Sequence, residues 1–302
     1  MSTHLILGGT GLVGTHVAAA ATAAGHRVVC TGLTSDTADI RLDLRDPVAV
    51  RQVILESGAA VVYVSAAFTN VEACETDPQK SFAVNVRPLR GIVDSCNEID
   101  ALLVYVSTDY VFDGVDGPYA EDEPVSPICV YGHHKVAAEH LVATGSSRWI
   151  IARTTVVYGW ETAGKNFVSR LTATLDAGGS VRVPDDQLGS PTFATGLGQA
   201  MVHLADSDFR GVVNLCGRDV MSRYDFAVAA ARAFGLDPAG IELVSTDTLG
   251  QVAPRPLNAG MFVDKADSLG CAVYLPGSQE GLVALVSERP GWREAAIAHP
   301  SQ

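Results

Sequence analysis

The sequence predicts an α/β fold, a doubly wound parallel sheet with a smaller C-terminal lobe. Three observations carry that expectation. Short apolar runs alternate with helix-like segments through the first half of the chain. The runs are continuously apolar, as strands covered on both faces are, rather than alternating in and out. A glycine-rich turn, Gly8-Gly-Thr-Gly-Leu-Val-Gly14, joins the first run to the first helical segment. Strands of this kind alternating with helices require a parallel sheet with a helical layer on each side.

The elements follow in order. Leu5-Ile-Leu7 is the first strand. A helix follows over about 12–24, and Gly25 is placed to stop it. Arg27-Val-Val-Cys30 is the second strand. Asp46-Pro47 reads as an N-cap followed by proline at the first helical position, opening a helix that runs to about Ser57. Ala60-Val-Val-Tyr-Val64 is a third strand, and Asp77-Pro78 repeats the cap-and-proline signal. Leu102-Leu-Val-Tyr-Val106 is the next strand. A helix over about 130–142 and the strand Arg148-Trp-Ile-Ile-Ala152 complete the half. Beyond about residue 155 the rhythm loosens and Gly, Pro and Asp become frequent. The expected division is a nucleotide-binding domain over 1–157, with a segment near 186–217 returning to it, and a mainly substrate-binding lobe over 158–302.

Composition narrows the function. The chain has 302 residues, 47% of them hydrophobic, enough for a large core. Lys and Arg number 21 against 34 Asp and Glu, a net charge of -13, so nucleic acid and anionic membrane surfaces are poor partners. The six cysteines form no CxxC pair, which fits a reduced, cytoplasmic setting without a zinc or redox site. No basic leader precedes the first apolar run, and no stretch reads as a membrane span. No ligand cluster calls for a metal. A homodimer is left open.

The glycine turn carries the first chemical signal. Glycines 8, 11 and 14 permit a tight turn, close approach of backbone to a pyrophosphate and close helix packing. The helix that follows presents free N–H groups to the phosphates. The loop residues Gly8, Thr10, Gly11, Leu12, Val13 and Gly14 are therefore candidates for binding a nicotinamide dinucleotide. An acidic residue ending the second strand would hold the adenosine ribose, but Cys30-Thr-Gly-Leu-Thr-Ser35 contains none, which leans toward NADPH over NADH. Arg41 is either a phosphate partner or solvated. Asp43 either accepts from the adenine amino group or caps a turn.

Tyr131-Gly-His-His-Lys135 carries the second signal. On a helix, residues four apart share a face. A neighbouring ammonium is expected to lower the phenol's pKa and fit Tyr131 to exchange a proton with a ketone or alcohol oxygen. The same lysine reaches a cofactor ribose. His133 and His134 are expected on the helix surface. Thr108, at the end of its strand, lies where parallel sheets bind ligands and adds a hydroxyl to the reacting oxygen.

These residues resemble the extended short-chain dehydrogenase/reductases, a Rossmann-like superfamily, and within it the dTDP-4-dehydrorhamnose reductases. The likeness runs through the glycine loop, Leu42-Asp-Leu-Arg-Asp46, Ala66-Ala-Phe-Thr69, Ser107-Thr-Asp-Tyr-Val-Phe-Asp-Gly114, Tyr131 with Lys135, Asp185-Asp-Gln-Leu-Gly-Ser-Pro-Thr192 and Ala253-Pro-Arg-Pro256. It implies NAD(P)H-dependent reduction of the C4 ketone of a nucleotide-linked 6-deoxysugar, with Thr108, Tyr131 and Lys135 catalytic. It implies cofactor contacts from Asp43, Leu44, Ala66, Ala67 and Thr69. It puts Asp109 and Tyr110 beside the sugar, and Asn166, Gln187 and Arg255 on the nucleotide diphosphate. Val156 stands where relatives carry a pocket tryptophan. Dehydratases of the superfamily have Asp then Glu after the threonine. Here Asp109 is followed by Tyr110, so the dehydration base is missing. Two other readings stay open: a reductase of a different sugar nucleotide or polar ketone, and a non-catalytic cofactor-binding subunit.

Overall fold

A computed structural model describes residues 1–161 and 163–288. The first half runs β1 (Thr3–Leu7), α1 (Leu12–Ala23), β2 (Arg27–Gly32), β3 (Ile40–Arg41), α2 (Pro47–Ser57), β4 (Val61–Val64), α3 (Val71–Thr76), α4 (Pro78–Asn85), α5 (Arg87–Glu98), β5 (Leu102–Thr108), α6 (Val130–Gly145) and β6 (Trp149–Thr154). The remainder runs β7 (Val157–Tyr158), α7 (Phe167–Asp176), β8 (Val181–Pro184), β9 (Leu188–Gly189), β10 (Thr192–Phe193), α8 (Ala194–Ala205), β11 (Gly211–Asn214), β12 (Met221–Ser222), α9 (Arg223–Ala233), β13 (Ile241–Val244), α10 (Asp264–Ser268) and α11 (Ser278–Glu288).

Seven strands form one parallel sheet in the order β11-β6-β5-β4-β1-β2-β3. Successive strand residues face opposite layers. Ile6 packs with Val17, Leu197 and Met201 under α1 and α8, while Leu5 and Leu7 pack with Ile54, Leu89 and Ile92 under α2 and α5. That is the doubly wound architecture. Truncating a core residue such as Leu7 to alanine would cost about 2–5 kcal/mol.

The local signals act as their chemistry requires. Asp46 accepts from the N–H groups of Val48 and Ala49, and Asp77 from that of Lys80. The chain also forms a helix that the cap signals do not announce. In α5, Leu89, Ile92, Val93 and Cys96 are buried at helical spacing. Strand β5 continues two residues past its apolar run, to Thr108. The six cysteines are free, five of them buried.

The elements outside the sheet gather a separate apolar cluster from α7, α9 and α11, around Tyr158, Leu171, Phe226 and Leu282. β8 pairs with β13 and β9 with β12, so this part is stitched by short two-stranded ladders. Strand β11 pairs with β6 at the edge of the main sheet, and α8 lies against α1. No helix among the described residues is long and apolar enough to cross a membrane.

Beneath the sheet, at the N-terminal ends of its strands, lies a cluster with no local sequence signal. The fully buried His4 ring stacks on His26 at 4.0 Å, and His26 Nε2 lies 3.0 Å from Asp206 Oδ2. Burial, then the neighbouring His26, pull the His4 pKa down to about 4.

Candidate active site

At the opposite end, where β1, β4, β5 and β6 finish, the two parts of the chain enclose a cleft of about 1010 Å³. That volume is at the upper end of what a single small ligand fills.

The glycine turn floors one side of the cleft, and its glycines divide by function. At Gly8, with φ +91°, a Cβ would lie 2.6 Å from the backbone nitrogen of Ala66. At Gly14 it would lie 2.2 Å from the Gly8 carbonyl oxygen. Both are fixed by the protein's own packing. Gly11 is different. A Cβ there meets nothing nearer than 3.5 Å, yet the residue lines the cleft, so the room it leaves is room for a ligand. It is also the N-cap of α1, with no capping side chain and no acid in the first turn. The first N–H groups of that helix are thus free for an anion. These features fit a dinucleotide's pyrophosphate.

Gly8, Gly11, Leu12, Val13, Asp43, Leu44, Ala66, Ala67 and Thr69 all line this side. Thr10 and Gly14 do not. Gly14 lies beneath Gly8, and the Thr10 side chain packs against Gly32 at the end of β2. Asp43 is held by a two-pronged pair with Arg45, 2.6 Å from Nη2 to Oδ2, which keeps its carboxyl below the usual range. Arg41 is exposed, and its Nε donates to the Leu33 carbonyl.

Tyr131 enters from the first turn of α6. The helix approaches so closely that a Cβ on Gly132 would lie 2.2 Å from the Tyr110 carbonyl oxygen. The glycine between the two signal residues thus seats Tyr131 edge-on against Tyr110, with ring centroids 5.6 Å apart. Thr108 Oγ1 donates to Asp109 Oδ1 at 2.9 Å, and Thr155 Oγ1 donates to Asp109 Oδ2 at 2.7 Å. Burial raises the Asp109 carboxyl to about 6, against the two hydroxyl bonds that favour its charged form.

The electrostatics correct one expectation. The Tyr131 pKa is raised, not lowered, chiefly by burial and then by Asp109, while the neighbouring Thr108 hydroxyl opposes the rise. Lys135 is itself buried and its pKa falls to about 7, with Glu139 partly restoring it. Its ammonium donates to the Val106 carbonyl at 2.5 Å and sits 4.1 Å from the Tyr105 ring centre. Desolvation thus outweighs pairing at both groups. Behind them Glu139 takes bonds from Ser107 and from Arg153, the latter at 2.8 Å, in a buried ion pair that ties α6 to β5 and β6. His133 is exposed as expected. His134 is half-buried, its Nδ1 2.8 Å from Ser81 Oγ, and joins α6 to α4.

On the facing wall Val156, Asn166 and Gln187 line the cleft. Val156 has φ +43°, a costly backbone state for a β-branched residue. Asn166 caps α7 and its amide also donates to Gly159 and Glu161. The Gln187 amide nitrogen is turned to Thr246 at 3.0 Å. Arg255 stands behind the wall. It pairs with Glu72 at 2.6 Å and donates to the Tyr110 hydroxyl at 3.2 Å. The same wall carries Lys165, beside Asn166, and Met221 and Arg223, which the motifs do not mark. The one local cue nearby is Ser222-x-x-Asp225, a cap that opens α9 at Arg223.

With this geometry in hand, comparison with known proteins is informative. Residues 2–288 match the family described as RmlD substrate binding domain. The dTDP-4-dehydrorhamnose reductase of Mycolicibacterium smegmatis is 34% identical over 83% of this chain and 75% of that one. The enzyme of the same name from Mycobacterium tuberculosis is 34% identical over 83% of this chain and 82% of its own. Among solved structures, dTDP-4-dehydrorhamnose reductase from Bacillus anthracis in complex with NADP superposes with a TM-score of 0.87 at 26% identity, covering 95% of this chain and 99% of that one. The chain belongs to the RmlD substrate-binding family.

Proposed function

We propose that this family member is an NAD(P)H-dependent reductase of the C4 ketone in a nucleotide-linked 4-keto-6-deoxyhexose. The observation that carries the reading is the convergence of Thr108, Tyr131 and Lys135 on the same cleft as the glycine turn. The two mycobacterial relatives and the NADP-bound structural neighbour support it.

The chain's residues divide the work. Gly8, Gly11, Leu12 and Val13 with the α1 N-terminus would hold the pyrophosphate, and Leu44, Ala66, Ala67 and Thr69 would continue the cofactor wall. A bound reduced nicotinamide supplies the hydride. Tyr131 gives the proton to the ketone oxygen. Its raised pKa keeps the phenol protonated at neutral pH, the state that reduction needs. Thr108 turns its hydroxyl from Asp109 to the same oxygen. Lys135, when charged, stabilises the phenolate left behind and exchanges its proton near neutrality, as a pKa of about 7 allows. Asp109 orients Thr108. Tyr110 and Val156 flank the sugar, with Asn166, Gln187 and Arg255 toward the diphosphate. β2 ends at Gly32, and Leu33-Thr-Ser35 follows it without a carboxylate, which favours NADPH.

The test is oxidation of NADPH and NADH with dTDP-4-keto-6-deoxyglucose, with and without a 3,5-epimerase. Consumption only with the epimerase supports a rhamnose-type reductase. Consumption without it supports another deoxysugar. No consumption with either cofactor sinks the proposal.

A further inference from the structure

The cleft is lined by five cations, Arg45, Lys80, Lys135, Lys165 and Arg223. Four are accounted for by their surroundings. Arg45 is paired with Asp43. Lys80 is exposed to solvent at its helix start. Lys135 is buried on the Val106 carbonyl. Lys165 is exposed to solvent. Arg223 is neither exposed nor paired. Its guanidinium has no hydrogen bond or ion pair among the described residues, and rests 5.0 Å from the Phe167 ring centre.

A half-buried guanidinium that lines a cleft without a partner is costly unless something arrives to pair it. The groups facing it are Tyr110 and Asp109 on the catalytic side, and the two cations Arg255 and Arg170. Asp109 acts on it through space only: its two oxygens take hydroxyl bonds from Thr108 and Thr155, and it forms no ion pair with Arg223 among the described residues. Burial lowers the Arg223 pKa, which agrees with a charge held short of solvent and counter-ion.

Its position is fixed from the backbone. β12 pairs with β9, Met221 opposite Gly189 and Ser222 opposite Leu188. The Arg223 N–H donates to the Gln187 carbonyl at 2.9 Å. Arg223 therefore projects from beside Gln187. Gln187 and Arg255, by contrast, have their side chains turned to Thr246 and to Glu72.

We propose that Arg223 is the cleft's oxyanion receptor, a specificity residue that binds the sugar-side β-phosphate or a sugar carboxylate of the substrate between Gln187 and the Asp109–Tyr110 turn. The inference rests on the reading of the cleft as a nucleotide-sugar site. The forked donor set of arginine matches either anion, and the chemistry common to both is a pair of anionic oxygens that takes two parallel N–H bonds. Two sources are available in such a substrate, the diphosphate and an acid group on the sugar.

The experiment measures affinities by calorimetry on the NADP-loaded protein and on its Arg223→Met and Arg223→Lys variants. The probes are dTDP, dTMP, UDP-glucose and UDP-glucuronic acid. If Arg223 takes the β-phosphate, Arg223→Met weakens dTDP roughly tenfold to hundredfold and erases its advantage over dTMP, with partial rescue by lysine. If it takes a sugar carboxylate, the same variant erases a preference for UDP-glucuronic acid over UDP-glucose and leaves the dTDP-to-dTMP ratio alone. Unchanged ratios in both pairs overturn the proposal, as does an equal loss for every probe together with NADP affinity, the sign of a merely structural role. Absence of ketone reduction by the parent protein would defeat the reductase reading while leaving these affinity ratios to judge Arg223.

Discussion

The wall under the glycine turn is built of backbone and small residues, Gly8, Gly11, Ala66 and Ala67, and at Gly8 a Cβ would lie 2.6 Å from the Ala66 nitrogen, a fit that only glycine permits. The wall facing it is built of side chains, Val156, Asn166, Gln187, Met221 and Arg223, which come from separate short elements. One half offers main-chain N–H groups at positions fixed by a strand and a helix. The other offers a set of rotamers whose partners can be exchanged. The first arrangement suits a ligand that is the same in every turnover. The second suits a ligand that changes between members of a family, because a side chain can be replaced without moving the fold.

Tyr131 stands between the halves, and its replacement is the largest expected effect. Tyr131→Phe should lower turnover by roughly 10²–10⁴-fold while NADPH affinity, measured by fluorescence titration, stays within about twofold. Normal turnover in that variant would remove the phenol from the chemistry and favour a binding subunit.

Two glycine variants test whether the backbone wall is really of two kinds. Gly14→Ala places a methyl 2.2 Å from the Gly8 carbonyl oxygen, and should cost about 1–3 kcal/mol of stability together with cofactor binding. Gly11→Ala meets nothing inside the protein nearer than 3.5 Å. It should leave the melting temperature within a degree or two and still weaken the cofactor roughly tenfold. Equal destabilisation by both would show that Gly11 is there for packing.

At the other end of the strand that leads to the glycine turn, His4 provides a pH test. Its folded-state pKa of about 4 lies below the ordinary 6.5, so the folded state favours the neutral ring. Stability from this group is complete above pH 6.5 and is lost as pH falls from 6.5 toward 4, by about 3 kcal/mol in all. Urea unfolding of the parent and of His4→Phe across that window should show the parent's steeper decline. Parallel curves would mean that His4 protonates without penalty.

The smallest effect is expected on the side-chain wall. Gln187→Ala should raise KM for the sugar nucleotide only a few-fold, since the amide already has Thr246 as a partner and must leave it to bind substrate. A hundredfold change would place Gln187 ahead of Arg223 on the anion.

The sequence by itself determined the elements whose signals lie within a few residues of one another. The continuous apolar runs, the Asp46-Pro47 and Asp77-Pro78 caps and the glycine turn are of this kind, and so is the Tyr131–Lys135 spacing. Each is a local steric or hydrogen-bonding rule, so each can be read without knowing what lies across the molecule. Tertiary structure alone decided the charge states and the pairings. Whether Tyr131 titrates above or below a free phenol depends on how much water the fold removes from it, and burial, then Asp109, raise it despite the Thr108 hydroxyl. Whether Arg255 is free depends on Glu72, brought from the other half of the chain, and Arg223 is left facing the cleft because Asp109, brought near it, forms no ion pair with it among the described residues. Desolvation and long-range pairing are properties of proximity in space, and no spacing along the chain encodes them.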